Sequence, residues 1–158
     1  MVDPISLIGT AGSVANIIDV VAKTIDTIRE LANEYKDADL RFFSLVSQLT
    51  ALRAAFDKIL EWMGMDMDPG DPHHQLIMDL DLSMTCCRML VGKIDDMLAE
   101  LRQEDDGKLD FASKVKLVFG SKNINGIQKL IEQQTGALTL LLTACNWFVI
   151  ITILYPEY

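Results

Sequence analysis

The stretch Phe42-Phe-Ser-Leu-Val-Ser-Gln-Leu-Thr-Ala-Leu-Arg-Ala-Ala-Phe-Asp-Lys-Ile-Leu-Glu-Trp-Met63 decides the fold class. Its residues Phe42, Leu45, Leu49, Leu52, Phe56, Ile59 and Met63 recur at steps of three and four. On an α-helix those steps fall on one side, so the stretch reads as a helix with a single apolar seam. Gln48, Arg53, Asp57, Lys58 and Glu61 are expected on the opposite, wet face. Asp37 or Asp39 can cap its start. Beyond Met63, Gly64-Met-Asp-Met-Asp-Pro-Gly-Asp-Pro72 breaks any helix with two Gly and two Pro.

The same spacing recurs on both sides of this helix. Upstream, Val14, Ile18, Val21, Ile25, Ile28, Ala32 and Tyr35 form a seam on a helix that Asp3 can cap with Pro4 in its first turn. Downstream, Asp71 can cap a third helix seamed by Ile77, Leu80, Met84, Cys87, Val91, Ile94, Leu98 and Leu101. A short helix is expected over Phe111 to Phe119, ended by Gly120. Ser121 can cap a last long helix, on which Ile127, Ile131, Gln134, Leu138, Leu141, Cys145 and Phe148 keep the seam. No strand alternation of useful length occurs; Trp147 to Tyr155 has strand-like composition but no partner strand, and reads as helix or loose tail. The expectation is an all-α, up-and-down four-helix bundle with one additional short helix. Its domain is expected over 1–146, with an apolar tail over 147–158 that is not part of the core.

Composition limits what such a bundle does. The chain has 158 residues, of which 50% are hydrophobic, so it is not a disordered chain. The net charge is −9, which argues against gripping nucleic acid with the whole surface. Three Cys, two of them adjacent, make no disulfide framework and point to a reducing compartment. The first Lys is Lys23, so the N-terminus lacks the charged opening of a signal peptide. A cytoplasmic location is expected, with membrane association as the open alternative.

That alternative rests on Ala137 to Tyr155, an almost wholly apolar stretch with no charged residue between Glu132 and Glu157. It is long enough for a bilayer core of about 30 Å. The competing reading, a helix buried on all sides of a bundle, is preferred. Between Gly107 and Ile131 the chain carries Lys108, Lys114, Lys116, Lys122 and Lys129 against Asp110 alone. With Phe111, Val115, Val118 and Phe119 interleaved, this segment fits either an anionic membrane surface or a bundle helix with a wet Lys side; packing is preferred.

Chemistry is thin. Asp66, Asp68, Asp71, His73 and His74 cluster, but a calcium loop needs a Glu six positions after its Gly, and Leu76 stands there. Adjacent His residues point apart, which suits zinc poorly. Cys86 and Cys87 read as small buried hydrophobes. Asp95 and Asp96 read as a solvated face. No phosphate-binding glycine loop, nucleophile elbow or zinc-protease motif occurs, so no catalytic residue, metal, cofactor or small-molecule substrate is expected and an enzyme is not. Small residues Gly9, Gly12 and Ser13 would allow a close helix contact. With Lys114, Lys116, Lys122, Trp147 and Phe148 they are the candidate positions for contact with a protein partner, another copy or a membrane surface.

Four stretches carry a family resemblance. They are Asp3-Pro-Ile-Ser-Leu7, Leu45-Val-Ser-Gln-Leu-Thr-Ala-Leu-Arg53 with Leu60-Glu-Trp62, Lys114-Val-Lys-Leu-Val-Phe119, and Ala137-Leu-Thr-Leu-Leu-Leu-Thr-Ala-Cys-Asn146. In order and spacing they resemble the fungal N-terminal domain of STAND proteins, the fungal counterparts of NOD-like receptors, which some ankyrin-repeat proteins also carry. The resemblance covers nearly all of 3–146. It implies a HeLo-like helical bundle with a signalling or effector role in non-self recognition and regulated cell death, and it brings no catalytic residue or cofactor. After Asn146 such a protein would continue into a polar linker and a receptor or repeat module, whereas Trp147 to Tyr158 is mostly apolar.

Overall fold

The computed structural model describes residues 4–34, 40–64, 74–102, 113–115, 118 and 122–154. Side-chain surroundings are described for most of these, with 4–8, 74–78 and 147–154 among the exceptions. Four long helices carry the fold: α1 (Pro4–Glu34), α2 (Leu40–Met63), α3 (His74–Arg102) and α4 (Lys122–Leu154). Residues 113–115 and 118 are helical and supply the short additional element. Among the described residues there is no strand. The segment from Trp147 to Leu154 is therefore helix, continuous with the rest of α4 across the expected boundary at 146.

The seams form the core. All seven seam residues of α2 are buried, as are Leu80, Met84, Cys87, Val91, Ile94, Leu98 and Leu101 of α3. α2 stops where Gly64 donates its N–H to the carbonyls of Leu60 (3.1 Å) and Glu61 (3.2 Å), tightening the last turn. Each helix also buries residues beside its seam. On α1 these are Thr10, Ile17, Thr24 and Leu31, one every seven residues. On α2 they are Ala55 and Trp62. A helix with two neighbours needs this wider stripe, because one heptad seam faces only one partner.

Among the described residues α1 packs on α2 and α3, and α4 packs on the same two helices. Around the bundle the order is thus α1, α2, α4, α3, with α2 and α3 across a diagonal although consecutive in the chain. In an up-and-down bundle this makes α1 and α3 parallel neighbours, and α2 and α4 likewise. Thr24 Oγ1 donates to Asp95 Oδ1 at 2.7 Å across the α1–α3 boundary, a separation of 71 residues. At that offset Pro4 stands level with residue 75, one position into α3, so parallel alignment overlaps the two helices over nearly their full length. The bond also shows which α1 stripe faces α3, namely the one containing Ile17, Thr24 and Leu31.

α4 departs from the expectation of a helix buried on all sides. Ile124, Ile127, Ile131 and Leu138 are buried, and Leu141 and Leu142 lie half-buried against the core. Its outer face is open, with Leu130, Thr139, Leu140, Thr143, Ala144 and Asn146 exposed. The reason is its position: a corner helix in a four-helix square has two neighbours and leaves the remaining arc to solvent. The core holds Leu138 and the half-buried pair, while Thr143, Ala144 and Asn146 beyond them are exposed. Among the described residues no helix is long and apolar enough to cross a membrane.

The wet face of α2 is also narrower than its spacing suggests. Gln48 is half-buried, and its Oε1 is buried without a hydrogen-bond partner. Gln128 Nε2 on α4 is buried and unpartnered in the same way. Arg53 and Asp57 pair at 3.9 Å, and Lys58 donates to Glu61 at 2.7 Å; both pairs are largely exposed and contribute little to stability.

Phe56 and Phe43 give a direct test of this packing. Phe56 is fully buried, while Phe43 is 59% exposed on the same helix. Phe56→Ala is expected to cost about 3–5 kcal/mol in urea unfolding, by lost burial and the cavity left behind. Phe43→Ala should stay within roughly 0.5 kcal/mol of the parent.

Candidate functional site

The described residues among those singled out by the sequence lie on α1, on the short helical element and on α4. Gly9 and Gly12 lie in α1 and are exposed, and a Cβ built on either meets nothing within 4 Å. Among the described residues the expected close helix contact is therefore not made. Small residues at helical spacing permit close approach, but here their side of α1 points away from both neighbours. Ser13, beside the seam, is half-buried.

Lys114 is half-buried, and Val115 and Val118 pack against the core. This favours the packed reading of the basic segment over a free amphipathic surface. Lys116 lies outside the described residues. Lys122 opens α4 and Trp147 and Phe148 continue it, but their side chains lie outside the described set. Asp66, Asp68, Asp71 and His73 also lie outside it. Among the described residues no three His, Cys, Asp or Glu gather where they could hold a metal ion.

The adjacent cysteines differ. Cys87 is fully buried on the α3 seam and Cys86 is half-buried beside it. Burial first, and the Cys86 thiol second, push the Cys87 thiol from 9.0 up to about 12. A thiol that stays protonated through the neutral range is a poor nucleophile. Its geometry is that of a small core side chain.

Asp95 is exposed, as the solvated reading expects, but it also has a partner inside the bundle. Its carboxylate accepts the Thr24 hydroxyl from a side chain that is only 1% exposed. Thr24 Oγ1 also lies 3.0 Å from the Val20 carbonyl. A hydroxyl has one proton, and the shorter approach to the carboxylate gives the stronger, charge-assisted bond. The pair is a structural clip. Its signal in the sequence was a Thr inside a period-seven apolar stripe.

The surface features that sequence spacing missed are exposed apolar side chains. On α3, Leu82 is 73% and Met89 72% exposed, one heptad apart with Cys86 between them. On α4, Leu140 is 72% exposed. Leu82 and Met89 each sit two positions after a seam residue, Leu80 and Cys87, and that offset is what turns them outward. No family model matches the chain, no curated protein matches it in sequence, and no solved structure matches it in fold.

Two outcomes follow from these positions. Gly12→Ala should stabilise the chain by roughly 0.5–1 kcal/mol, since an exposed helix interior gains propensity and no atom obstructs the methyl group; thermal unfolding checks it. For Cys87 the folded value lies above the unfolded one, so the neutral thiol's contribution is whole below pH 9.0 and is lost as pH rises toward about 12. Urea midpoints measured on either side of pH 9.0 should fall with rising pH, and the fall should be smaller in Cys87→Val.

Proposed function

We propose that this chain is a non-enzymatic interaction module of the signalling, effector or adaptor kind found at the N-terminus of fungal NOD-like receptors and ankyrin-repeat proteins. The observation that carries the reading is the outward pair Leu82 and Met89, one heptad apart on α3. A Leu and a Met exposed by more than two thirds and aligned on one helix face supply apolar area that a partner's helix or groove can cover. The rest of the molecule supports it. The core is a continuous packed cluster, and the most perturbed thiol is buried where no substrate reaches it. The resemblance in the stretches at 3–7, 45–53, 60–62, 114–119 and 137–146 supplies the signalling class.

The test is affinity purification of the whole chain, with bound proteins quantified against Leu82→Asp/Met89→Asp. Both positions are exposed, so the variant should keep its helicity and unfolding temperature. Proteins that bind the parent and are lost from the folded variant would support a contact module working through α3. Identical bound sets for the two chains would sink that role.

A further inference from the structure

We propose that Gln48 on α2 and Gln128 on α4 form a buried interhelical amide pair that locks α4 in register along α2. The starting observation is two polar atoms without partners. Gln48 Oε1 accepts only and Gln128 Nε2 donates only, and both are buried without a hydrogen bond. Buried polar groups are nearly always paired, and one left unpaired is costly.

The hand of the bundle brings the two side chains to one boundary. Beside its seam α2 carries one flank of Gln48, Ala55 and Trp62 and another of Val46 and Leu60. Beside Ile124, Ile131 and Leu138, α4 carries Gln128, Thr135 and Leu142 on one flank and Ile127, Gln134 and Leu141 on the other. The Thr24–Asp95 bond turns the Ile17, Thr24 and Leu31 flank of α1 toward α3, which leaves Ile18 and Ile25 toward α2. Seen from its N-terminus, a right-handed helix winds clockwise. From the start of α1 the order α3, core, α2 is therefore clockwise. In the up-and-down order α2 and α4 run the other way, so in the same view their side chains wind anticlockwise. That sense sets Gln48, Ala55 and Trp62 against α4, and Gln128, Thr135 and Leu142 against α2.

The levels agree. The first buried side chains described on the two helices are Phe42 and Ile124, which start both cores together. Within one turn of that level, the parallel flanks meet as Gln48 with Gln128, Ala55 with Thr135 and Trp62 with Leu142, all at one common offset. Two small side chains face each other in the middle and two large apolar ones at the end. Thr135 has already given its proton to the Ile131 carbonyl, at 2.8 Å. On these two flanks the amides remain to be matched, one acceptor with one donor. Side-chain rotation closes that bond with no shift of either helix.

A slip of one heptad removes the match. It sets Gln48 against Thr135, whose proton is taken, or Gln128 against Ala55, whose side chain offers no hydrogen bond. A single buried polar contact is an attested means of fixing register between helices whose apolar seams accept several. The lock acts inside the bundle and is independent of the contact surface on α3.

The experiment is a double-mutant cycle on the whole chain, with Gln48→Met, Gln128→Met and the double variant unfolded in urea, beside nuclear Overhauser spectra of the parent. Met keeps the length of Gln, so each single variant strands one amide and the double variant strands none. The double variant is expected to exceed the folding constant predicted from independent single effects by about tenfold. The Gln128 side-chain amide, identified by the signal that Gln128→Met loses, should show contacts to the Gln48 side chain. In the double variant the backbone amide signals of α4 should broaden or double as neighbouring registers become populated. Single effects that simply multiply, or a Gln128 amide without contact to Gln48, would overturn the pairing. A double variant with one sharp set of α4 signals and the parent's α2–α4 contacts would overturn the register role. The parent's spectra decide the pairing even where a variant does not fold.

Discussion

Everything in this bundle depends on α1 and α2 hiding two stripes at once. α1 buries Val14, Ile18, Val21, Ile25 and Ile28 as one seam and Thr10, Ile17, Thr24 and Leu31 as a second stripe beside it. α2 adds Ala55 and Trp62 to its own seam. A corner position in a four-helix square demands this, because each helix meets two partners roughly a quarter-turn apart. The wider stripes fix which helices are neighbours, and the Thr24–Asp95 bond sets the level at which α1 and α3 run together.

The seams were legible because burial imposes the helical period directly on residue type, and the seam residues of α2 from Phe42 to Met63 are all buried. The order of helices around the square was not. Loop composition says where a helix stops, but it does not say whether the next helix takes the adjacent corner or the diagonal one. α2 and α3 take the diagonal, and nothing between Gly64 and Pro72 announces it. Ile17 and Leu31 fall off the three-and-four count yet are buried, because that count follows one interface at a time.

The candidate surfaces were less legible, for a related reason. Gly9 and Gly12 have the spacing of a close helix contact, but spacing cannot supply the neighbour, and their side of α1 is open. Thr24 and Asp95 are far apart in sequence and ordinary in type; only folding brings them to 2.7 Å. Gln48 was expected on the wet face, yet it buries a polar atom without a partner, as Gln128 also does. Leu82, Met89 and Leu140 could have been found, since a large apolar residue out of phase with a strong seam must either face water or face another molecule.

The parallel pairing has an electrostatic consequence. Each helix carries about half a positive charge at its N-terminus and half a negative charge at its C-terminus. In a bundle whose neighbours are all antiparallel, every helix start lies beside a helix end and the fields largely cancel. Here the starts of α1 and α3 share one edge, and the ends of α2 and α4 share the opposite edge of the same end of the bundle. That end is polarised across its width, with two positive poles side by side. In the chain, Asp3 immediately precedes α1, and Asp66, Asp68 and Asp71 precede α3. In sequence, acidic residues thus stand ahead of both helix starts, and acidic is the residue type that a positive helix pole favours.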